Sequence, residues 1–147
     1  MGASEELAHA LEELRELARG IHPAVLSERG LAAALEALAG RAPLPVEVDV
    51  PAERLPERVE AAAYYVISES LANVAKYAEA SAVEVSVARR NGRAIVEVAD
   101  DGRGGADPTR GSGLSGLADR VEALDGVLTV ESTSGRGTRI RAEIPCA

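Results

Sequence analysis

The chain has 147 residues, enough for one domain or little more, and its 16 Lys+Arg against 24 Asp+Glu give a net charge of −8. This acidic balance, with only three Tyr and no Phe or Trp, argues against nucleic acid as a partner. No apolar run reaches the ~20 residues of a membrane span, and no signal peptide opens the chain. The single Cys146 excludes an internal disulfide or a cysteine zinc site. We expect a cytoplasmic domain without direct membrane contact.

Two helices are predicted in the first part of the chain. Residues 4–19 carry a leucine stripe at three- and four-residue steps, and residues 30–40 show a second, shorter one. Pro23 breaks the pattern between them, because its ring disfavours helical geometry at His22. The Pro-rich segment 42–45 reads as a linker, so we predict that the main domain starts at residue 43.

Strands and helices alternate in the rest of the chain. The hydrophobic periods predict helices at 57–77 and 114–124, and strands at 46–50, 81–90, 94–99, 127–131 and 138–144. Asn91-Gly92 lies between two of these strands and is a strong hairpin signal. Residues 100–113 form a glycine-rich loop. This order predicts an α+β fold, a two-layer sandwich whose mixed sheet has helices on one face, preceded by a helical segment.

A first group of polar residues lies on the long predicted helix. Glu69, Asn73 and Lys76 or Tyr77 are spaced so that they line one helix face over two turns. A carboxylate, an amide oxygen and a cation in that arrangement suit a hard divalent ion with a phosphate chain. The alternative is a solvated face with an ordinary i,i+4 polar pair. Lys76 is also the only lysine among the sixteen basic residues.

A second group follows a predicted strand directly. Asp100 stands at the strand end, and Asp101, Gly102 and Gly104 come next. A carboxylate fixed there can accept a hydrogen bond from an exocyclic amine, and the glycines allow a flat ring to approach the backbone. An acidic, glycine-rich turn without a ligand is the alternative.

A third group is a glycine run that leads into a helix. Gly111, Gly113 and Leu114 precede a helix whose free N–H groups would suit phosphate. The run also matches G-x-G-x-x-G, so a dinucleotide-binding domain stays open. A Rossmann site needs a strand directly before the first glycine, however, and residues 101–110 intervene here.

The order of these groups resembles the N, G1 and G2 boxes of the GHKL ATPases, which include gyrase-type, Hsp90-type, histidine-kinase and MutL-type domains. The motifs are E-x-x-x-N-x-x-K-Y from Glu69, D-x-G-x-G from Asp100, G-x-G-L from Gly111 and G-x-G-T from Gly135. The resemblance covers residues 45–145 and implies the Bergerat α/β sandwich. The short loop between the boxes and the missing F box are similar to sensor histidine kinases of the NarL/DesK-like class.

That resemblance implies roles for the helix residues. Asn73 would coordinate Mg²⁺ through ATP, with Glu69 supporting it or polarising a water. Lys76 and Tyr77 would face the phosphates, although many relatives carry His at the position of Tyr77.

It also implies roles around the glycines. Asp100 would read the adenine amino group, with Thr138 nearby through a hydrogen bond or a water. Glycines would shape the pocket (Gly102, Gly104) and, with the residue that follows them, close the loop over the phosphates (Gly111, Gly113, Leu114).

The implied activity is protein-histidine kinase, with ATP and Mg as cofactors. Residues 1–42 look like the second dimerisation helix plus connector, and 43–147 like the catalytic domain. Neither His9 nor His22 has the sequence context of a phosphoacceptor, so we expect the acceptor on a helix outside this sequence. The implied partners are the dimerisation domain of a second protomer and a response regulator. An anti-sigma-factor-type serine kinase of the same fold and a dinucleotide-binding or scaffolding domain are the alternatives.

Overall fold

The computed structural model describes residues 24–51, 53–74, 80–102, 114–132, 135 and 137–146. The predicted helix at 4–19 lies outside this part of the chain. We number the elements in chain order within it. They are α1 (Ala24–Arg29), α2 (Leu31–Arg41), β1 (Val46–Asp49), α3 (Glu57–Asn73), β2 (Val83–Arg90), β3 (Arg93–Asp100), α4 (Leu114–Glu122), β4 (Val127–Ser132) and β5 (Thr138–Pro145).

The strands form one mixed sheet in the order β1-β2-β3-β5-β4. β1 runs parallel to β2, and every other neighbouring pair is antiparallel. The β2–β3 hairpin turns at Asn91 and Gly92, whose φ angles of 52° and 73° both lie in the left-handed region. A two-residue turn of this hand is favoured because its twist matches that of the strands. Asn and Gly are preferred in it because both central residues have positive φ angles. The predicted hairpin and the α+β fold class are confirmed.

One face of the sheet is apolar and lies against the helices. Alternate side chains of β2, β3 and β5 are buried there, while their neighbours point outward and are charged in many cases. The buried set, to which α3 and α4 contribute, includes Val83, Val85, Val87, Ala94, Val96, Val98, Leu117, Val121, Ile140, Ala142 and Ile144. The two-layer arrangement therefore follows from the period-two pattern of the strands.

Helix α3 is the long predicted helix and lies across β3 and β5. It begins directly after Pro56, and Glu57 and Glu60 occupy its first turn, where carboxylates interact favourably with the helix dipole. Its apolar stripe is buried, including Val59, Val66 and Ile67. The helix was predicted to continue to residue 77, but residues 75–79 lie outside the described part of the chain.

A carboxylate of α3 is buried beside the connection from β1. The Glu60 side chain is 3% exposed and accepts hydrogen bonds from Nε and Nη2 of Arg54 at 3.2 and 3.0 Å. The backbone N–H of Leu55 donates to the same carboxylate at 3.2 Å. The hydrogen bond and charge of Glu60 raise the pKa of Arg54. Glu60 is therefore a buried charge with its own countercharge.

The helices before the sheet pack into the same core. Leu26 of α1 and Leu31 and Leu35 of α2 are all 3% exposed or less. The sequence did not predict α1, because six residues are too few to show a helical period. The core therefore contains residues from both sides of the predicted linker at 42–45. The assignment of residues 1–42 to a dimerisation helix and connector stays a prediction. No helix in the described ranges is long and apolar enough to cross a membrane.

Candidate functional site

Asp100, the last residue of β3, has a side chain that is held by backbone groups. Its half-buried carboxylate accepts the N–H of Gly102 at 2.8 Å and also the backbone N–H of Thr138. Asp100 and Thr138 are register partners in the β3–β5 ladder, so two distant motifs meet here. The structure thus brings together three of the predicted site residues, Asp100, Gly102 and Thr138.

Burial sets the acidity of this group. Desolvation raises the pKa of Asp100, and the hydrogen bonds from Gly102 and Thr138 offset part of that effect, while the neighbouring charge of Asp101 adds to it. Among the described residues, no arginine forms an ion pair with Asp100. A partly desolvated carboxylate without a cation retains acceptor capacity for a polar ligand.

Gly137 allows the two strands to meet at Asp100. Its φ is +85°, and a Cβ built on it would lie 2.0 Å from the carbonyl oxygen of Asp100. Gly135 has a similar φ of +81° but has nothing within 4 Å of the same position. Only the second glycine of the G-x-G-T motif is therefore required by a close backbone approach.

Asp101 is exposed and holds the chain where it enters β2. Its Oδ1 accepts the N–H groups of Ser81 and Ala82 at 2.8 and 3.1 Å, and its Oδ2 accepts a short hydrogen bond from the Ser81 hydroxyl. The hydrogen bonds from Ser81 are the main reason that the pKa of Asp101 is lowered. The two adjacent aspartates therefore have opposite pKa shifts.

The side chain of Thr138 continues this network. Its Oγ1 lies 2.8 Å from Oγ of Ser132, the residue opposite it on β4. The hydroxyl pair joins the end of β4 to the start of β5 beside Asp100. Thr138 thus lies next to the carboxylate, and its contact to Asp100 is made by its backbone, while its role toward adenine stays a prediction.

Glu69 and Asn73 lie one turn apart in the last part of α3. The Asn73 Nδ2 is buried and has no hydrogen-bond partner among the described residues. An unpaired buried amide costs about 1–3 kcal/mol, and this N–H group is able to donate to an oxygen of a ligand. An amide oxygen is also a ligand that Mg²⁺ accepts. Asn73 therefore fits the magnesium and phosphate role.

Helix α4 is fastened to α3 by a stacked pair. The guanidinium of Arg120 lies 3.8 Å from the ring centroid of Tyr65, a cation–π contact between the two helices. Tyr65 is one turn before Glu69 on α3, and α4 begins at Leu114, directly after the glycine run. The contact joins the last turn of the helix that follows the glycine run to the helix that carries Glu69 and Asn73.

Several predicted site residues lie outside the described part of the chain, and their roles stay predictions: Lys76, Tyr77, Gly104, Gly111 and Gly113. Conversely, sequence reasoning gave no role to Asp101 or Gly137. The available signals were the second aspartate of Asp100-Asp101 and the second glycine of G-x-G-T. Neither signal identifies a partner, because the contacts of Asp101 with Ser81 and of Gly137 with Asp100 join residues far apart in sequence.

The topology excludes one alternative. A Rossmann domain requires a mostly parallel sheet with a strand directly before the first glycine. Here only β1 and β2 are parallel, and β3 ends at Asp100, eleven residues before Gly111. The fold is instead a mixed α+β sandwich, with the Asp100 cluster where β3 pairs with the start of β5.

Comparison with known families agrees with that class. Residues 58–147 match the family described as histidine kinase-, DNA gyrase B-, and HSP90-like ATPase. The match includes α3, Asp100 and Thr138. The chain belongs to this family, and it carries an ATP-binding catalytic domain.

Curated relatives are sensor kinases. The chain is 31% identical over 149 residues to the oxygen sensor histidine kinase NreB of Staphylococcus carnosus, an alignment that covers 95% of this chain and 43% of the relative. It is 33% identical over 153 residues to the sensor histidine kinase MctS of Rhizobium johnstonii, covering 96% of this chain and 33% of the relative. The chain thus spans less than half of these relatives.

Solved structures show the same fold. The blue-light activated histidine kinase EL346 of Erythrobacter litoralis superposes with a TM-score of 0.64 at 26% identity, over 79% of this chain and 39% of that one. The histidine kinase AdeS of Acinetobacter baumannii gives a TM-score of 0.60 over 97% of this chain and 80% of that one, at 18% identity.

Proposed function

We propose that this chain binds Mg-ATP at the site around Asp100 and, within a longer sensor histidine kinase, donates the γ-phosphate to a histidine outside this sequence. The observation that carries the proposal is the half-buried Asp100 carboxylate, which has backbone donors and no cation among its described contacts. A carboxylate in that state suits the neutral exocyclic amine of adenine.

The residues around it divide the work of binding. Asp100 accepts the adenine amine, and the start of β5 at Thr138 closes that side of the site. Asn73 holds the metal and phosphate end: its Oδ1 would bind Mg²⁺, and its buried Nδ2, unpaired within the described residues, would donate to a phosphate oxygen. Lys76 and Tyr77 contact the phosphates, and Gly102, Gly104, Gly111, Gly113 and Leu114 shape the pocket and its cover. These assignments rest on the motif resemblance.

Catalysis at such a site is mainly positioning and charge neutralisation. Bound magnesium would supply the charge that offsets the developing negative charge on the phosphoryl oxygens. Glu69, one turn before Asn73, would orient a metal-bound water or the metal ligand itself. The transferred phosphoryl group passes to an imidazole nitrogen, and ADP remains.

The partners follow from the proposed role. The acceptor histidine would be presented by the dimerisation domain of a second protomer, and a response regulator would receive the phosphoryl group next. The relatives NreB and MctS are both sensor histidine kinases, which favours this role over the serine kinase of anti-sigma-factor type. Phosphotransfer to a serine of a partner protein would favour that second role.

Calorimetric titration tests the binding step. We expect ADP with Mg²⁺ to bind, NAD to fail as a competitor, and Asn73→Ala to weaken the dependence on Mg²⁺. Asp49→Asn is the control, since Asp49 is an exposed residue of β1 outside the site. No heat with ADP, or binding of NAD that is indifferent to Asp100→Asn, would contradict the proposal.

A further inference from the structure

Asp101 lies beside the proposed adenine-reading carboxylate but faces away from it. Its three hydrogen bonds all go to Ser81 and Ala82, which are twenty and nineteen residues earlier in the chain. We propose that Asp101 is a positioning residue that fixes the orientation of Asp100 and so sets the preference of the site for adenine over other bases. This inference rests on the proposed function.

Asp100 is held in place by backbone groups. Its carboxylate is bonded to Gly102 on one side of Asp101 and to Thr138 across the ladder. Both donors are backbone groups, so the carboxylate keeps its direction only while the chain around residues 100–102 stays in place. Gly137 packs against the Asp100 carbonyl and restrains the β5 side.

Asp101 restrains the other side. The residue stands between Asp100 and Gly102, at the point where the chain leaves β3. Its carboxylate ties that point to the start of β2, through two backbone donors and one hydroxyl. Hydrogen bonds to an ionised acceptor are stronger than neutral ones. Without them, the turn from Asp100 to Gly102 loses its attachment to β2.

A test must separate positioning from general support of the fold. ADP and IDP share the ribose and both phosphates, but the 6-amino group of adenine is a carbonyl in hypoxanthine. Only ADP has a donor at the 6-position for Asp100, because the carbonyl of hypoxanthine can only accept there. A misaligned Asp100 therefore weakens ADP and leaves IDP unchanged, whereas a damaged site weakens both.

The variants distinguish hydrogen bonding from charge. Asp101→Ala removes all three hydrogen bonds and the negative charge. Asp101→Asn removes the charge but keeps a carbonyl oxygen for the N–H groups of Ser81 and Ala82, and its amide can donate to the Ser81 hydroxyl. Ser81→Ala deletes only the hydroxyl contact. Asp49→Asn is the matched control for loss of one exposed carboxylate.

We expect calorimetry with Mg²⁺ to show about a tenfold loss of ADP affinity in Asp101→Ala, with IDP affinity within about twofold of the wild type. Asp101→Asn should stay within about twofold for both nucleotides, and Ser81→Ala should lose about threefold for ADP alone. The Asp49→Asn control should match the wild type.

Two results overturn the inference while the proposed function stands. One is an equal loss of ADP and IDP in Asp101→Ala, and the other is unchanged discrimination in that variant. If Asp101→Ala does not fold, the inference is tested with Ser81→Ala instead. An ADP affinity equal to that of the wild type in Ser81→Ala would then count against the inference. A wild-type chain that binds no ADP would instead refute the proposed function itself.

Discussion

Two carboxylates of this chain are withdrawn from solvent in different ways. Glu60 is almost completely buried and is bonded to Arg54 and to the Leu55 N–H. Asp100 is half-buried, its hydrogen-bond donors within the described ranges are backbone N–H groups, and desolvation raises its pKa. The first carboxylate has a countercharge within the fold, and the second has none among the described residues.

The difference indicates what each group does. A buried ion pair that satisfies itself holds the fold and offers nothing to a ligand. A desolvated carboxylate with backbone donors alone is unfavourable for stability, and such groups occur where function requires them. The same contrast makes two predictions. Loss of the Arg54 side chain should destabilise the fold around Glu60, whereas the region of Asp100 should be destabilised by changes in the backbone that holds it.

The largest effect should come from the backbone beside Asp100. Gly137→Ala should lower the free energy of unfolding by about 3 kcal/mol, because it adds a steric clash with the Asp100 carbonyl to the penalty of a positive φ. Gly135→Ala is the matched control and should lose only about 1 kcal/mol, since it has the same backbone strain without the clash. Urea denaturation measures both. Equal losses would show that Gly137 does not restrain Asp100.

A smaller effect should follow from removing the countercharge of Glu60. Arg54→Ala leaves a buried carboxylate with a single backbone donor and should cost about 2 kcal/mol of unfolding free energy. Arg58→Ala, which removes an exposed arginine at the start of the same helix, should change it by less than about 0.5 kcal/mol. Similar results for the two variants would mean that the ion pair does not hold the helix start.

The smallest effect concerns the stability cost of Asp100. Because its folded pKa is raised, its contribution to stability is most favourable when the group is protonated and is lost as pH rises from the ordinary aspartate value through the raised value. Asp100→Asn should therefore match the wild-type Tm at acidic pH and equal or exceed it at neutral pH. Differential scanning calorimetry across about pH 3 to 7 measures this difference.

The sign of that pH dependence is itself a check. Asp101 has a lowered pKa, so its contribution is present above the ordinary aspartate value and is lost as pH falls through the lowered one. Asp101→Asn should therefore have a lower Tm than the wild type at neutral pH, and this difference should disappear in acid. For Asp100→Asn, any difference in Tm should instead appear as the pH rises, with the variant the more stable. A wild-type advantage at neutral pH in the Asp100 comparison would contradict the assignment of a desolvated carboxylate.

Local patterns predicted most of the fold. The periods of α2, α3 and α4 and of the five strands were readable because each element has one buried face, and Asn91-Gly92 marked its turn through backbone geometry alone. Helix α1 was too short to show a period. The pairing order of the strands is a tertiary property, and the sequence indicated only that the sheet would be mixed.

The sequence indicated that Asp100 and Thr138 lie near one another, but it did not indicate which residues hold them in place. Asp100 and Thr138 were expected to lie near one another from their motifs, and the ladder pairs them. The contacts of Asp101 with Ser81, of Gly137 with Asp100 and of Arg54 with Glu60 were not predicted. The first two join residues far apart in sequence, and the third joins two residues that show no shared pattern.

We propose that Asp100 serves the ligand, whereas Glu60 serves the fold. The most direct test is a crossed measurement of Tm and ADP affinity in two amide variants, Asp100→Asn and Glu60→Gln. We predict that Asp100→Asn keeps its Tm and loses ADP binding by at least about 100-fold, whereas Glu60→Gln loses Tm and keeps ADP binding. Retained ADP binding in Asp100→Asn, with the fold intact, would contradict the account.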